Sequence, residues 1–322
     1  MAQELPNSLS IPLYRPDLSV VDAQTLVAQL GLNPFQDAAL VRSWEGAWEE
    51  RWQRRAVAFA DHVEAIRLIK EILGWPAGMG VHVDPLLDPA WREALHGAWL
   101  GCDWHDRDAD PTVSAGGVVW QQPGMGWWQP AGHARWVLEE ISAVPLPVSG
   151  VGQGAIQLVN LTGPRILPVG VGALLLSTDG ELIETLRQRR SHAPGAAACA
   201  LGLSLLDSLP ERLERRGELV SRYAAMRLRG WARLPSDLAQ GRCRECFYLP
   251  MRDVAARISL EAFLTKAGIG CGAVHWFRLP AGTPPGWQSW LSQTLAIPLY
   301  AALTDQECKR IINRIHRWVE RQ

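Results

Sequence analysis

A chain of 322 residues with 48% hydrophobic residues can bury a large core, so we expect one large domain and a smaller one. A net charge of −1 and an isoelectric point near 6.7 exclude a general basic field for nucleic acid or an anionic membrane. No stretch reaches the roughly 20 apolar residues of a membrane span, and the first residues do not read as a signal peptide. We therefore expect a cytoplasmic protein that contacts neither nucleic acid nor membrane.

The cysteines and lysines restrict the chemistry that the chain can perform. Six scattered cysteines do not form a dense disulfide framework, so we expect reduced thiols. Cys243 and Cys246 form one CxxC pair, which would be half a zinc site or a redox pair, but no second pair completes four ligands. We expect no metal there. Lysine occurs only at Lys70, Lys266 and Lys309, so a reaction that needs a primary amine has three candidates.

Helices alternate with strands in the first hundred residues. Apolar periodicity predicts helices over 19–29, 38–54, 63–74 and 88–96, and strands over 55–59 and 80–83. This alternation is typical of an α/β domain with a largely parallel sheet. Trp44, Trp48 and Trp52 lie on one face of the second helix, which is typical of a core or a dimer interface rather than a ligand cage.

The next part of the chain begins with a loop that is rich in Pro, Gly and Trp. This loop, over 109–132, holds one predicted strand at 117–120, and its Trp127 and Trp128 are candidates for stacking on a ligand or partner. Beyond it the pattern predicts strands over 136–139, 155–159 and 173–177, a helix over 179–190, and a helical stretch over 198–228 that Pro210 interrupts.

The pattern of predicted elements changes after residue 228. Strand, helix, strand and helix are predicted over 246–250, 258–266, 270–275 and 305–321. The sequence therefore predicts a large α/β domain over 1–228 and a small α+β domain over 229–322.

Four segments in order along the chain carry a family resemblance. They are IPLYRPDLS at 11–19, VGVGALLLSTDGELIETLRQRRSH at 169–192, ALGLSLLDSLPERLERRGELVSRY at 200–223 and TLAIPLYAALTDQECKRIINRI at 294–315. Together they resemble the DegT-type (StrS-type) sugar aminotransferases, which use pyridoxal phosphate on a fold type I scaffold. The resemblance implies a mostly parallel seven-stranded sheet, a small C-terminal domain and a homodimer.

The resemblance also assigns the site positions, and most carry the wrong residue for a transaminase. The Schiff-base lysine position falls on Pro164 or Arg165, and neither side chain has a primary amine. The family's phosphate-binding turn matches residues 60–65, where His62 and Val63 replace glycine and threonine and Asp61 adds negative charge.

Two further positions follow from the same register. Glu140 takes the place of the carboxylate that pairs with the pyridine nitrogen. The position of the aromatic residue that stacks on the ring in the family falls near Asp84, so the resemblance implies that stacking is lost. We therefore expect that pyridoxal phosphate is not bound. The expected function is that of a pseudoenzyme, a homodimer that binds a small ligand or a protein in the remodelled cleft, with Asp61, His62, Trp127 and Trp128 as candidate contacts.

Two alternatives remain open from the sequence. One is a working aminotransferase or dehydratase on a nucleotide sugar, if the register is misplaced. The other is an enzyme of different chemistry, in which Asp61, His62, Asp84 and Glu140 converge as an acid/base or metal cluster.

Overall fold

The computed structural model describes residues 10–32, 35, 37–104, 117–121, 134–143, 146–147, 154–163, 165–232, 246–273 and 279–322. The chain divides into two compact units. The larger unit comprises Leu18–Pro210 and Trp276–Gly286, and the smaller unit comprises Met1–Asp17, Glu211–His275 and Trp287–Gln322. The predicted boundary at residues 228 and 229 stays a prediction.

The larger unit consists of helices around one large sheet. Its helices are α1 (Val20–Leu32), α2 (Ala38–Trp52), α3 (His62–Leu73), α4 (Pro89–Gly97), α5 (Gly180–Arg189) and α6 (Ala196–Asp207). Its strands are β1 (Arg55–Phe59), β2 (Gly80–Val83), β3 (Gly101–Trp104), β4 (Val118–Gln121), β5 (Trp136–Glu140), β6 (Ile156–Asn160) and β7 (Ala173–Ser177). The break that Pro210 predicts in the long helical stretch is observed two residues earlier, at Ser208.

The sheet has the order β1-β7-β6-β5-β4-β2-β3, which confirms the predicted seven-stranded, mostly parallel sheet. Only β7 runs against the others; it pairs with β1 from Arg55↔Ser177 to Phe59↔Ala173 and with β6 on its other side. Gly172, which precedes β7, has a φ of 88°, and a Cβ there would clash with the backbone oxygen of Phe59. A glycine is therefore required where the chain passes the end of β1.

The tryptophans of α2 belong to the core. Trp44 and Trp48 are at most 1% exposed and meet edge to face at 5.6 Å, and the ring of Trp44 lies over Gly202 of α6. A Cβ at residue 202 would lie 2.8 Å from that ring. Of the two interpretations left open by the sequence, the core is the one observed, because α2 packs against α6 and β1.

The smaller unit has its own core around a three-stranded antiparallel sheet. Its elements are α7 (Leu209–Ala224), β8 (Phe247–Pro250), α8 (Val254–Lys266), β9 (Gly272–Ala273), α9 (Pro285–Gln293), β10 (Thr294–Ile297) and α10 (Asp305–Val319), with strand order β8-β10-β9. Two of these helices, α7 and α9, cross the boundaries of the units. The elements β3, α9 and β10 were not predicted from the sequence. Among the described helices, none combines the length and the apolar character needed to cross a bilayer.

Candidate functional site

Three positions singled out from the sequence, His62, Asp84 and Glu140, lie along one edge of the large sheet. Six strands run in one direction, so their carboxyl ends share this edge with the amino end of β7. His62 begins α3 just after β1, Asp84 follows β2, Glu140 ends β5 and Asn160 ends β6. In open α/β sheets, ligands bind at this edge.

A chain of hydrogen bonds joins three of the strand ends. His62 Nε2 lies 3.0 Å from Asn160 Oδ1, and the Asn160 backbone N–H donates to Ser142 Oγ at 2.7 Å. Ser142 Oγ donates in turn to Glu140 Oε1 at 3.0 Å. All four residues are buried, so the structure brings His62 and Glu140 into one polar network.

The surroundings of His62 favour a neutral ring. Its imidazole meets Trp91 edge to face at 4.5 Å, and Trp91 packs on Trp120 at 5.2 Å. Burial lowers the pKa of His62 below its usual value, although the hydrogen bond to Asn160 acts in the opposite direction. A neutral imidazole has one N–H donor and one acceptor nitrogen, so it can orient a ligand by hydrogen bonding but carries no charge to attract an anion.

The first turn of α3 is occupied by the chain's own carboxylate. Asp61 is the N-cap residue, and its side chain accepts the N–H groups of Val63 and Glu64, each at 3.2 Å. Such donors bind anions at the start of helices. Here they are already satisfied, so an incoming phosphate would compete with Asp61 for them.

Two acidic residues after β2 have different surroundings. Asp84 accepts the N–H of Leu86 at 2.8 Å, but burial outweighs this bond and raises the pKa of Asp84 to about 7. Asp88 caps α4 and forms a partly buried ion pair with Arg165. Arg165, one of the two residues at the predicted lysine position, is therefore engaged with a carboxylate.

A cavity of about 1220 Å³ lies between α2, the start of α3 and residues 190–194. Arg187 and Arg190 on its wall pair with the buried Glu45. Arg42 and Arg67 line it as well, with 60% and 44% of their side chains exposed. The cavity is large enough for a small organic ligand and offers it exposed guanidinium groups.

Several predictions lie outside the described residues. These are Pro164 at the lysine position, Trp127 and Trp128 as stacking candidates, and Cys243 of the CxxC pair. Cys246, the described member of that pair, is buried. Within the described ranges, no group of three His, Cys, Asp or Glu side chains is arranged to hold a metal ion.

Sequence reasoning missed Asn160 and Ser142. Asn160 is a polar residue at the end of the fully buried strand β6, and that position alone marks the carboxyl edge of a parallel sheet. Ser142 carries no such signal, because its role depends on the approach of β6 to β5.

Sequence comparison finds no matching protein-family model and no curated relative. Solved structures match over almost the whole chain. PseC, an aminotransferase of pseudoaminic acid biosynthesis from Helicobacter pylori, has a TM-score of 0.81 at 13% identity, covering 97% of this chain and 100% of its own. The chain has the fold of the sugar aminotransferases.

Two further structures support this fold. A DegT DnrJ EryC1 StrS aminotransferase from Brucella abortus matches with a TM-score of 0.73 at 16% identity, over 92% of this chain and 95% of its own. Spr1654 from Streptococcus pneumoniae, in its PLP-form, matches with a TM-score of 0.81 at 14% identity, over 97% and 99%. The sugar aminotransferase fold confirms the fold class that the sequence predicted.

The same comparison corrects the expectation about the cofactor. We expected no pyridoxal phosphate, but the neighbours with this fold include Spr1654 in both a PLP-form and a PMP-form. That expectation is wrong, since the fold is one whose solved examples carry this group. The expectation rested on three changes taken together: the missing lysine at Pro164 or Arg165, the charge in the phosphate-binding turn at 60–65, and the loss of the stacking aromatic residue near Asp84.

The residues of this chain fit the two ends of pyridoxal phosphate unequally. Glu140, a buried carboxylate at the carboxyl end of β5, and Asn160, whose Nδ2 has no hydrogen-bond partner among the described residues, suit the polar groups of a pyridine ring. The start of α3 does not suit the phosphate, because Asp61 occupies its N–H groups.

Proposed function

We propose that this chain is a catalytically degenerate relative of the sugar aminotransferases that acts by binding and not by transferring an amino group. The observation that carries the proposal is the position of the lysines, all three of which are described. Lys70 lies in the last turn of α3, eight residues beyond His62 and therefore roughly 12 Å along the helix axis from it. Lys266 and Lys309 belong to the smaller unit.

Covalent attachment of the cofactor needs a primary amine at the carboxyl edge of the sheet. Arg165 lies in the matching segment, but its guanidinium stays protonated and pairs with Asp88. We therefore propose that pyridoxal phosphate bound at this edge forms no Schiff base with the protein. The cavity beside α3 supports a binding role. The free cysteines fit a reducing compartment, and we propose that the protein is cytoplasmic.

Reduction with borohydride tests this proposal. The protein is incubated with pyridoxal phosphate, reduced, digested and analysed by mass spectrometry, and its visible absorbance is recorded before and after reduction. We expect no stoichiometric adduct at any of the three lysines. A stoichiometric adduct at Lys70 that disappears in Lys70→Arg, together with amino transfer to a keto sugar nucleotide, would restore the aminotransferase interpretation.

We also propose that the chain forms a homodimer through α1. Apolar side chains on this helix are exposed, with Val20 74%, Val27 68% and Leu30 53% accessible. The only charged residue of α1 is Asp22, which is buried and accepts from Ser204 at 2.6 Å. An uncharged apolar surface of this kind is self-complementary across a twofold axis and costs free energy while it faces water.

Light scattering coupled to size exclusion tests the dimer. We expect a mass twice that of the 35.6 kDa chain for the wild type, and one chain mass for Val20→Glu/Val27→Glu/Leu30→Glu. Val254→Glu/Ile258→Glu on α8 is the matched control, because these apolar side chains are also exposed, at 38% and 52%. A wild-type monomer, or loss of the dimer in the control, contradicts the role of α1.

A further inference from the structure

The exposed side of α10 carries four cations on one face. Lys309, Arg310, Arg314 and Arg317, here called the α10 basic face, are separated by one, four and three residues. At about 100° per residue these spacings keep the four side chains within one side of the helix. The opposite side is buried in the core of the smaller unit through Cys308, Ile311, Ile315 and Trp318.

The basic face borders a shallow groove that has no acidic residue among its described lining residues. The groove has a volume of about 430 Å³, and its remaining lining residues are Gln306 and Asn313. Every residue that lines it is therefore cationic or carries a neutral amide. A ligand in this groove would therefore find many hydrogen-bond donors and no carboxylate among these lining residues.

The side chains of the α10 basic face form no ion pair with the described residues. Within the described part of the chain, Lys309, Arg314 and Arg317 form no ion pair, and Arg310 donates to the backbone oxygen of Ala267. By contrast, Arg222 on α7 pairs with Asp305 at the start of the same helix, at 2.7 Å. The chain as a whole has a net charge of −1, so the excess of positive charge on the α10 basic face is a local feature.

The physics of the helix itself does not account for the cluster. Cations are favourable near the carboxyl end of a helix, which explains Arg317 but not Lys309 and Arg310 in the first half of α10. Arg310 and Arg314 are like charges four residues apart, a spacing that destabilises a helix by about 0.2–0.5 kcal/mol. A partner that neutralises these charges would remove the repulsion, which accounts for their arrangement.

We propose that the α10 basic face binds an acidic segment of a partner protein. The face runs from Lys309 to Arg317, roughly 12 Å along the helix, which matches a short run of carboxylates. A membrane surface is disfavoured because the apolar side of α10 is buried and has nothing to insert. A nucleic acid is disfavoured because the basic surface is one helix face on a chain of net negative charge.

Fluorescence anisotropy with a labelled oligoglutamate peptide tests this inference at low and at physiological salt. We expect the wild type to bind, and Lys309→Glu/Arg317→Glu to bind at least about 10-fold more weakly at low salt. Lys309→Gln/Arg317→Gln should fall between the two. Lys70→Glu/Arg189→Glu, which makes the same change in net charge on the larger unit, should bind like the wild type.

Three outcomes overturn the inference. They are no binding by the wild type, equal weakening in the control variant, or tighter binding of single-stranded DNA or of phosphatidylserine vesicles than of oligoglutamate. Circular dichroism melting of each variant shows that it is folded. Because the surface lies on the smaller unit, the result is independent of the site proposed at the large sheet.

Discussion

Arg216→Met lowers the free energy of unfolding by about 3–5 kcal/mol, because it leaves a buried carboxylate without its cation. Arg216 and Asp17 form an ion pair at 2.8 Å with side chains only 1% and 4% exposed. Arg216 also donates to the Leu299 carbonyl at 2.8 Å, while Asp17 accepts the N–H groups of Ala301 and Ala302. The pair therefore fastens the N-terminal segment and residues 299–302 to α7, all within the smaller unit.

Urea unfolding followed by circular dichroism measures this loss. Arg222→Met is the matched control, since its ion pair with Asp305 is exposed and should cost less than about 1 kcal/mol. Asp17→Asn combined with Arg216→Met should recover part of the loss, because the buried charge is gone. A loss for Arg216→Met as small as that of the control would show that the buried pair is not stabilising.

Asp84→Asn should stabilise the protein at pH 8 and leave it nearly unchanged at pH 4. The pKa of Asp84 is about 7 in the folded protein and 3.8 in an ordinary environment. Between these values the folded state holds a proton that the unfolded state has released, so stability falls as the pH rises through this window. Above about pH 7 the penalty is constant, and below about pH 4 it is absent.

The expected gain at pH 8 is about 1–3 kcal/mol, reduced from the full linkage value because Asp84 keeps some surface accessible. Thermal melting of both proteins from pH 4 to 8 measures it. Protonation of His62 destabilises the fold at low pH, since its pKa is lowered, but it acts on both proteins and cancels in their difference. A difference that does not change with pH would show that Asp84 titrates normally.

The elements with strong local signals could be predicted from the sequence. The helix α3 has an N-cap at Asp61 and an αL glycine at Gly74, and the apolar runs of β1 and β7 are five residues long, which favours buried strands over helices. The strand β10 has the sequence TLAI between α9 and a proline, and only its pairing with β8 and β9 makes it a strand. Its assignment needed tertiary contacts that no local pattern contains.

The sequence indicates where His62, Asp84 and Glu140 lie relative to the strands, but not which contacts they make. His62, Asp84 and Glu140 each follow or end a strand, which places them at the carboxyl edge before any coordinates are known. The link through Asn160 and Ser142 depends on the packing of two neighbouring strands. The pKa of Asp84 depends on how densely the chain surrounds it, and that is a property of the fold alone.

The pairing of β7 between β1 and β6 has a consequence for the order of folding. Strand β1 ends at Phe59, but its partner Ala173 is synthesised more than a hundred residues later. Until then β1 has no neighbour, and the edge of β6 that β7 will cover is open. Such long-range pairing slows folding and leaves apolar strands accessible to other chains during synthesis. Fragments that end before β7 should therefore associate with one another and fail to form a stable sheet.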